Sequence, residues 1–154
     1  MEFRLENGLS FDQRIEMPDG SKIILADWGV QPEWNKQTQR AFRNHSVFRL
    51  DKGGNVIWQV KRDEGERTEW ARARDKAEAE NSDDCWTRSP FANLFLRFSD
   101  GTTNRDPLTE RGPDTSRWVN GASVVCRTLD SMVYELDVDT GVAFNKTPFG
   151  IREW

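Results

Sequence analysis

The sequence has little of what metal sites and catalytic centres usually require. It contains one histidine, His45, and two cysteines, Cys85 and Cys126. A single histidine excludes His-rich metal sites and two-histidine mechanisms, and two distant cysteines make neither a disulfide scaffold nor a metal knuckle. We expect both thiols to be free, Cys126 to be a small buried apolar residue within a strand, and His45 to be a polar loop residue. We therefore expect no metal, no cofactor and no catalytic residue.

Long apolar runs and glycine-rich phosphate loops are also missing. No stretch approaches the roughly 18 apolar residues of a membrane helix, and the first eight residues, MEFRLENG, lack the basic and then apolar order of a signal peptide. Gly53 and Gly54 lie in a hairpin pattern rather than between a strand and a helix. We expect a cytoplasmic protein with no membrane contact and no nucleotide chemistry.

The sequence has fewer basic residues than acidic ones. Twenty-six acidic residues against 22 basic ones give a net charge of -4, the wrong sign for tracking a phosphate backbone, so a nucleic-acid partner is disfavoured. A mildly acidic protein is suited to meeting a basic protein surface. A charge of this size also serves simply to keep a small domain soluble, so both interpretations stay open.

What the sequence does contain is aromatic residues and strand patterns. Its 154 residues suit a single domain over 1–154, and seven Trp and nine Phe supply enough apolar surface for it to fold. Two segments, 47–60 and 133–145, alternate apolar and polar residues around a turn rich in Gly and Asp, which predicts two β-hairpins. When the sequence is aligned with itself at a shift of 86 positions, the two hairpins align, with Val47 on Val133, so they form an internal repeat.

Further strands are predicted at 22–28, 92–99 and 122–129, with 11–17 able to pair with the first of these. Together they predict a mainly β protein, an antiparallel meander curled into a sandwich, an open barrel or a propeller-like sheet. In the strand at 56–60, alternation places Val56, Trp58 and Val60 on one face, so we expect Trp58 to be buried.

Two stretches interrupt the β pattern with helical signals. Residues 32–42 begin with a proline at the first turn, and 64–80 is alanine-rich with a capping box from Asp63 to Glu66. We predict one or two short helices, the longer within an insertion over 62–86. That helix is either a solvated face anchored by Trp70 or part of a partner-binding surface.

The segment 104–120 is rich in turn-forming residues and predicts a long loop between two strands. Long loops in compact domains are often functional, which makes Arg105, Arg111 and Trp118 contact candidates, although simple disorder accounts for the composition equally well. Residues 137–141 resemble the opening of a calcium loop, but Pro148 stands where the closing acid should be, so we predict a hairpin turn there instead.

The hairpin strings VFRLD, GNVIWQV and YELDVDTG, with Pro90 and Phe91 between them, resemble a group of small bacterial proteins built of β-hairpins. The similarity covers residues 11–146, without the inserted helix and the loop at 104–120. The hairpins also resemble single blades of the quinoprotein dehydrogenase propeller, whose remaining features are missing. Small acidic proteins of this kind are frequently immunity partners of bacterial toxins, which is an analogy of class because no residue matches an immunity motif.

We therefore expect a non-enzymatic cytoplasmic domain that binds another protein, specifically an immunity-type protein that neutralises a basic toxin. The alternative is a small-ligand or carbohydrate-binding module in which exposed tryptophans form a cleft. The candidate partner-binding residues combine tryptophan anchors with charged groups of both signs. They are Trp70, Trp86, Trp118, Glu69, Glu78, Asp83, Asp84, Arg105 and Arg111.

Overall fold

The computed structural model describes residues 13–26, 45–63, 91–106, 108–129 and 131–147. In these ranges the chain forms nine strands in two sheets and no helix. The strands are β1 (Gln13–Glu16), β2 (Lys22–Leu25), β3 (Val47–Leu50), β4 (Val56–Gln59), β5 (Lys61–Asp63), β6 (Phe91–Arg97), β7 (Ser123–Thr128), β8 (Val133–Leu136) and β9 (Val142–Asn145). The mainly β character predicted from the sequence is confirmed.

The first sheet is an antiparallel meander in the order β1-β2-β3-β4. Its two described turns, after β1 and after β3, are closed by aspartates whose carboxylates accept backbone N–H groups of the turn. Asp51 Oδ1 accepts from the backbone nitrogens of Gly53 and Asn55, both at 2.9 Å. These local bonds explain why an Asp followed by glycine marks the end of a strand in this sequence.

The second sheet has the order β5-β9-β8-β7-β6, in which β6 to β9 form another antiparallel meander and β5 runs parallel to β9. Strands β4 and β5 are consecutive in the chain, separated by Val60. The Val60 N–H donates to the Val47 carbonyl, and the next residue, Lys61, donates to the Gly141 carbonyl, both at 2.9 Å. One extended stretch therefore leaves the first sheet and joins the second.

The two hairpins related by the shift of 86 occupy equivalent places, as the third and fourth strands of their meanders. In the first hairpin Arg49 pairs with Trp58, and in the second the corresponding Glu135 pairs with Phe144. The registers then diverge, because Ile57 has no partner across the first hairpin.

The bulge at Ile57 corrects the expectation for β4. Leu50 pairs with Val56 while Arg49 pairs with Trp58, so Val56 and Trp58 lie on opposite faces. Val56 is 36% exposed, whereas Trp58 is partly buried against the core and its indole N–H donates to the Val138 carbonyl at 2.8 Å. The prediction that Val56, Trp58 and Val60 share one face is wrong for Val56.

In the described ranges both sheets contribute to one apolar core cluster. It includes Ile15 and Ile23 from the first sheet and Leu94, Cys126 and Tyr134 from the second, all fully buried. At one end the Tyr134 and Phe91 rings meet edge to face at 5.3 Å, and the Arg62 guanidinium lies 4.3 Å from the centre of the Phe91 ring. The sheets are thus joined by packing as well as by the strand that passes between them.

The predicted helices at 32–42 and 64–80 lie outside the residues that the structure describes. Of the proposed insertion at 62–86, only Arg62 and Asp63 are described, and both belong to β5. In the described ranges there is no helix with the length and apolar character needed to cross a membrane.

Candidate functional site

The two meanders begin with matching turns and then differ. Pro18-Asp19-Gly20-Ser21 follows β1, and Ser99-Asp100-Gly101-Thr102 follows β6. In both turns the glycine has a positive φ, 86° and 88°, and hydrogen bonds from the Ser or Thr two residues after the aspartate hold the carboxyl pKa below its ordinary 3.8. In the first meander β2 starts directly at Lys22, whereas in the second the chain continues to Ser123 before β7 begins. Residues 104–122 are therefore an insertion, called here the inserted segment.

The inserted segment is attached to the free edge of β6 by Asn104. The Asn104 backbone N–H donates to the Leu96 carbonyl at 3.1 Å, and the Leu96 N–H donates to Asn104 Oδ1 at 2.8 Å. The remaining side of the same amide, Nδ2, donates to the Thr115 carbonyl at 2.6 Å. The buried Asn104 side chain thus accepts the β6 edge N–H that a neighbouring strand would otherwise accept. It also links the two halves of the inserted segment through its bond to Thr115.

A buried ion pair holds the tip of the inserted segment to β7. Asp106 is 1% exposed, and its Oδ2 accepts from Arg127 Nη2 at 2.9 Å. Its other oxygen accepts from the Leu108 N–H at 3.0 Å, which fixes the turn at the tip. Both carboxylate oxygens are thereby satisfied, as a buried charge requires.

The second half of the inserted segment pairs with β1. The Glu16 N–H donates to the Ser116 carbonyl at 2.8 Å, and the Trp118 N–H donates to the Glu16 carbonyl at 2.9 Å. The Trp118 ring packs against the core, and its indole N–H donates to the Ala122 carbonyl at 3.1 Å. The inserted segment therefore spans from the edge strand of one sheet to the edge strand of the other.

Beneath it the edge strands β1 and β6 meet at a seam bridged by a side chain. Gln13 Nε2 donates to the Ala92 carbonyl at 2.9 Å, and Gln13 Oε1 accepts from the Leu94 N–H at 2.8 Å. The Gln13 carboxamide thus donates to and accepts from β6 as a backbone peptide group of a paired strand would. Gln13 and Asn104 together satisfy β6 edge groups at Ala92, Leu94 and Leu96.

A polar pocket of about 350 Å³ opens where the inserted segment crosses this seam. Three carboxamides, two guanidiniums and one carboxylate contribute to its lining: Gln13, Asn93, Asn104, Arg105, Arg111 and Asp114. Arg111 Nη2 donates to the Arg105 carbonyl at 3.5 Å. The described lining thus brings two guanidinium groups and one carboxylate to one pocket. Such a lining suits a polar, negatively charged group.

The structure brings together two of the residues proposed from the sequence, Arg105 and Arg111, at this pocket. Trp118, proposed as a partner contact, is partly buried and packs against the core, so its role in partner binding stays a prediction. The other six proposed contacts lie outside the described residues. They are Trp70, Trp86, Glu69, Glu78, Asp83 and Asp84.

Sequence reasoning missed Gln13 and Asn93, and it named the segment containing Asn104 without that residue. A signal for the insertion was present, because the second Asp-Gly turn, at Asp100 and Gly101, repeats the first one at Asp19 and Gly20 without a strand of similar spacing behind it. No comparable local signal marks Gln13, whose partners are about 80 residues away.

Other candidate chemistry in the described ranges has a structural explanation. Cys126 is fully buried as predicted, and burial raises the pKa of its thiol to about 12, with a smaller opposing effect of the Arg62 charge. The turn at 137–141 is a hairpin turn as predicted, with Asp137 Oδ1 accepting from the N–H groups of Asp139 and Thr140. Within these ranges no three His, Cys, Asp or Glu side chains are placed to hold a metal ion.

Comparisons with models of known protein families, with curated proteins and with solved structures gave no match to this chain. The proposals below therefore depend on the geometry of the inserted segment and its pocket.

Proposed function

We propose that this chain is a non-enzymatic domain that binds another protein, with the inserted segment as the centre of its contact surface. The observation that carries the proposal is the attachment of this segment at several points, through Asn104 to β6, through Asp106 to β7 and through residues 116–118 to β1. A surface already held in one conformation loses little conformational entropy on binding, which favours affinity.

The exposed side chains of the inserted segment have the composition of a contact surface. Leu108 is 65% exposed and Val119 is 45% exposed, and Arg111 and Arg117 are exposed beside them in the chain. Arginine is enriched in protein interfaces, and apolar groups that lose water on contact supply binding free energy. The segment thus offers apolar contacts and directed hydrogen-bond donors together.

The arrangement of the sheets supports this role as a scaffold. We infer that the two sheets enclose the shared core as a sandwich that is open at the β1–β6 seam. This inference is supported by the core cluster that the two sheets share, by the continuous stretch through Val60 and by contacts of β6 with both β1 and β2. A packed scaffold of this kind holds an inserted segment in a defined place.

The more specific proposal is an immunity-type protein that neutralises a basic toxin in the cytoplasm. It is supported by the net charge of -4, which favours encounter with a basic partner. In this proposal the acidic residues and tryptophans between 69 and 86 meet the basic groups of the partner, while Arg111 of the pocket lining meets an acidic group of the same partner.

A small polar ligand is the second candidate, and the carboxamide lining of the pocket favours it. A stacking platform for sugars gains no support from the described tryptophans. The rings of Trp58 and Trp118 both pack against the core, and both indole N–H groups donate to backbone carbonyls of the chain itself.

The test is capture of a partner from a lysate of the source organism by the immobilised chain, with bound proteins identified by mass spectrometry. Leu108→Ser and Arg111→Glu change the inserted segment. Their matched controls are Leu129→Ser, an exposed leucine in another turn, and Lys146→Glu, an exposed cation just after β9. We expect a protein that is retained by the unchanged chain and both controls and lost from both inserted-segment variants. Equal retention by all five baits contradicts the proposal.

A further inference from the structure

We propose that the pocket under the inserted segment binds a carboxylate group, supplied by an acidic side chain or by the free C-terminus of a peptide. The inference deepens the proposed function, on which it rests for the identity of the carboxylate as part of a protein partner. The binding chemistry itself depends only on the pocket and can be measured without that partner.

Charge is the first argument. Arg105 and Arg111 both line the pocket, and against them the described lining includes one acidic side chain, Asp114. Arg111 is exposed, and its 3.5 Å contact with the Arg105 carbonyl engages one nitrogen of a guanidinium that has five N–H donors. A guanidinium fork matches the two oxygens of a carboxylate, so Arg111 is suited to bind them together.

The carboxamides are the second argument. The Gln13 and Asn104 oxygens already accept backbone N–H groups, and one N–H of each amide is used in a bond to a backbone carbonyl. These bonds fix both side chains and leave each amide one further N–H as a donor. The partly buried Asn93 also lines the pocket, and its side-chain amide forms no hydrogen bond with another described side chain. The lining is therefore richer in available donors than in available acceptors.

Size and polarity narrow the ligand further. A volume of about 350 Å³ admits the end of an acidic side chain or a chain terminus. An apolar group of the same size would leave the guanidinium and amide donors without partners after water is displaced, which costs binding free energy. A carboxylate supplies two oxygens with about four acceptor positions, which is the complement of this lining.

The test uses three small probes titrated at constant ionic strength into the whole chain labelled with ¹⁵N. N-acetylglutamate α-amide carries a side-chain carboxylate, N-acetylglutamine carries a terminal carboxylate, and N-acetylglutamine amide is neutral. We expect one or both carboxylate probes, but not the neutral one, to shift the side-chain amide signals of Asn93 and Gln13 with millimolar affinity. Whichever carboxylate probe binds more tightly identifies the source of the group.

Variants separate this site from general charge effects. Arg111→Gln removes a pocket cation and is expected to weaken probe binding by about tenfold. Arg117→Gln removes a cation of the same inserted segment that does not line the pocket, and it should leave the affinity unchanged. Asn93→Ala offers a second change that carries no charge, and it should weaken binding while the dispersed amide spectrum confirms the fold.

The proposal is overturned if neither carboxylate shifts these signals, if the neutral probe shifts them equally, or if Arg111→Gln and Arg117→Gln behave alike. Its failure is distinct from failure of the proposed function. Partner capture that depends on Leu108 with no carboxylate binding keeps the contact surface and removes the pocket. Carboxylate binding without any captured partner keeps the pocket proposal and removes support for the contact surface.

Discussion

Gly141, in the turn between β8 and β9, shows how tightly one residue is constrained by packing. Its φ is 80°, and a Cβ built on it would stand 2.6 Å from a ring carbon of Trp58. Gly101 has nearly the same backbone conformation, with φ of 88°, but a Cβ there would meet no atom within 4 Å. The two glycines therefore share a backbone requirement and differ in their surroundings.

This difference predicts unequal effects of alanine. Gly101→Ala should lower the free energy of unfolding by about 1 kcal/mol, the cost of a left-handed backbone for a residue with a side chain. Gly141→Ala should lower it by a further ~2 kcal/mol, because the Trp58 ring must move. Urea unfolding followed by circular dichroism measures both values, and equal losses would show that the Trp58 ring does not constrain this turn.

Cys126 predicts a dependence of stability on alkaline pH. Burial raises the pKa of its thiol from 9.0 to about 12, so above pH 9 the unfolded chain releases this proton while the folded chain keeps it. The free energy of unfolding must then fall as pH rises through that interval. Cys126→Ala lacks this contribution, so its stability should fall less steeply than that of the unchanged chain. If the free energy of unfolding falls equally steeply between pH 9 and 12 in Cys126→Ala and in the unchanged chain, the raised pKa of Cys126 does not contribute to stability.

At the scale of elements, one of the attachments of the inserted segment is the buried ion pair between Asp106 and Arg127. Arg127→Leu leaves the Asp106 carboxylate buried at 1% exposure without its cation, and a loss of about 3–5 kcal/mol is expected. The double variant Asp106→Asn with Arg127→Leu removes the unpaired charge and should be more stable than the single Arg127→Leu variant. The double-mutant cycle, measured by urea unfolding, checks this ordering, and additive losses would show that the two side chains act independently.

The elements differ in how far the sequence predicts them. The hairpins β3–β4 and β8–β9 were predictable, because alternation and an aspartate-glycine turn are local signals. Strand β5 was not, since Lys61, Arg62 and Asp63 carry no strand signal and pair with β9 about 80 residues away. The bulge at Ile57 was not predictable either, because the sequence places apolar residues at Val56, Trp58 and Val60 as a regular strand would.

The candidate site was predictable only in part for the same reason. Composition marked 104–120 as a long loop that carries arginines, and Arg105 and Arg111 do line the pocket. The rest of the lining, Gln13 and Asn93, comes from β1 and β6, and the seam between these strands exists only after both sheets have formed. A polar residue such as Gln13 in a strand looks like an ordinary exposed position until its distant partners are known.

At the scale of the whole molecule, the core cluster that the two described sheets share predicts a single unfolding transition. Arg49 adds a link, since its guanidinium donates to Asp19 in the turn after β1 and to the Val138 carbonyl in the turn after β8. Ile15→Ala in the first sheet and Leu94→Ala in the second should each shift the same transition, with a loss of about 2–5 kcal/mol.

The measurement compares circular dichroism with tryptophan fluorescence during urea unfolding. Coincident curves in the unchanged chain and in both variants are expected for cooperative unfolding. A variant that unfolds only part of the signal would show that the two meanders are separate units joined by a shared strand.

The two carboxamides along β6 also bear on how the chain behaves at high concentration. An edge strand with open N–H and C=O groups can add a strand from another molecule, which is a common route to aggregation. The Gln13 side chain engages such groups at Ala92 and Leu94, and Asn104 engages the Leu96 N–H with its side-chain oxygen and the Leu96 carbonyl with its backbone N–H. A side-chain amide ends the ladder, because it offers no continuing backbone for a further strand. The seam that forms the pocket therefore also blocks the edge of β6, the longest strand of the described sheets, against pairing with a strand from a second copy of the chain.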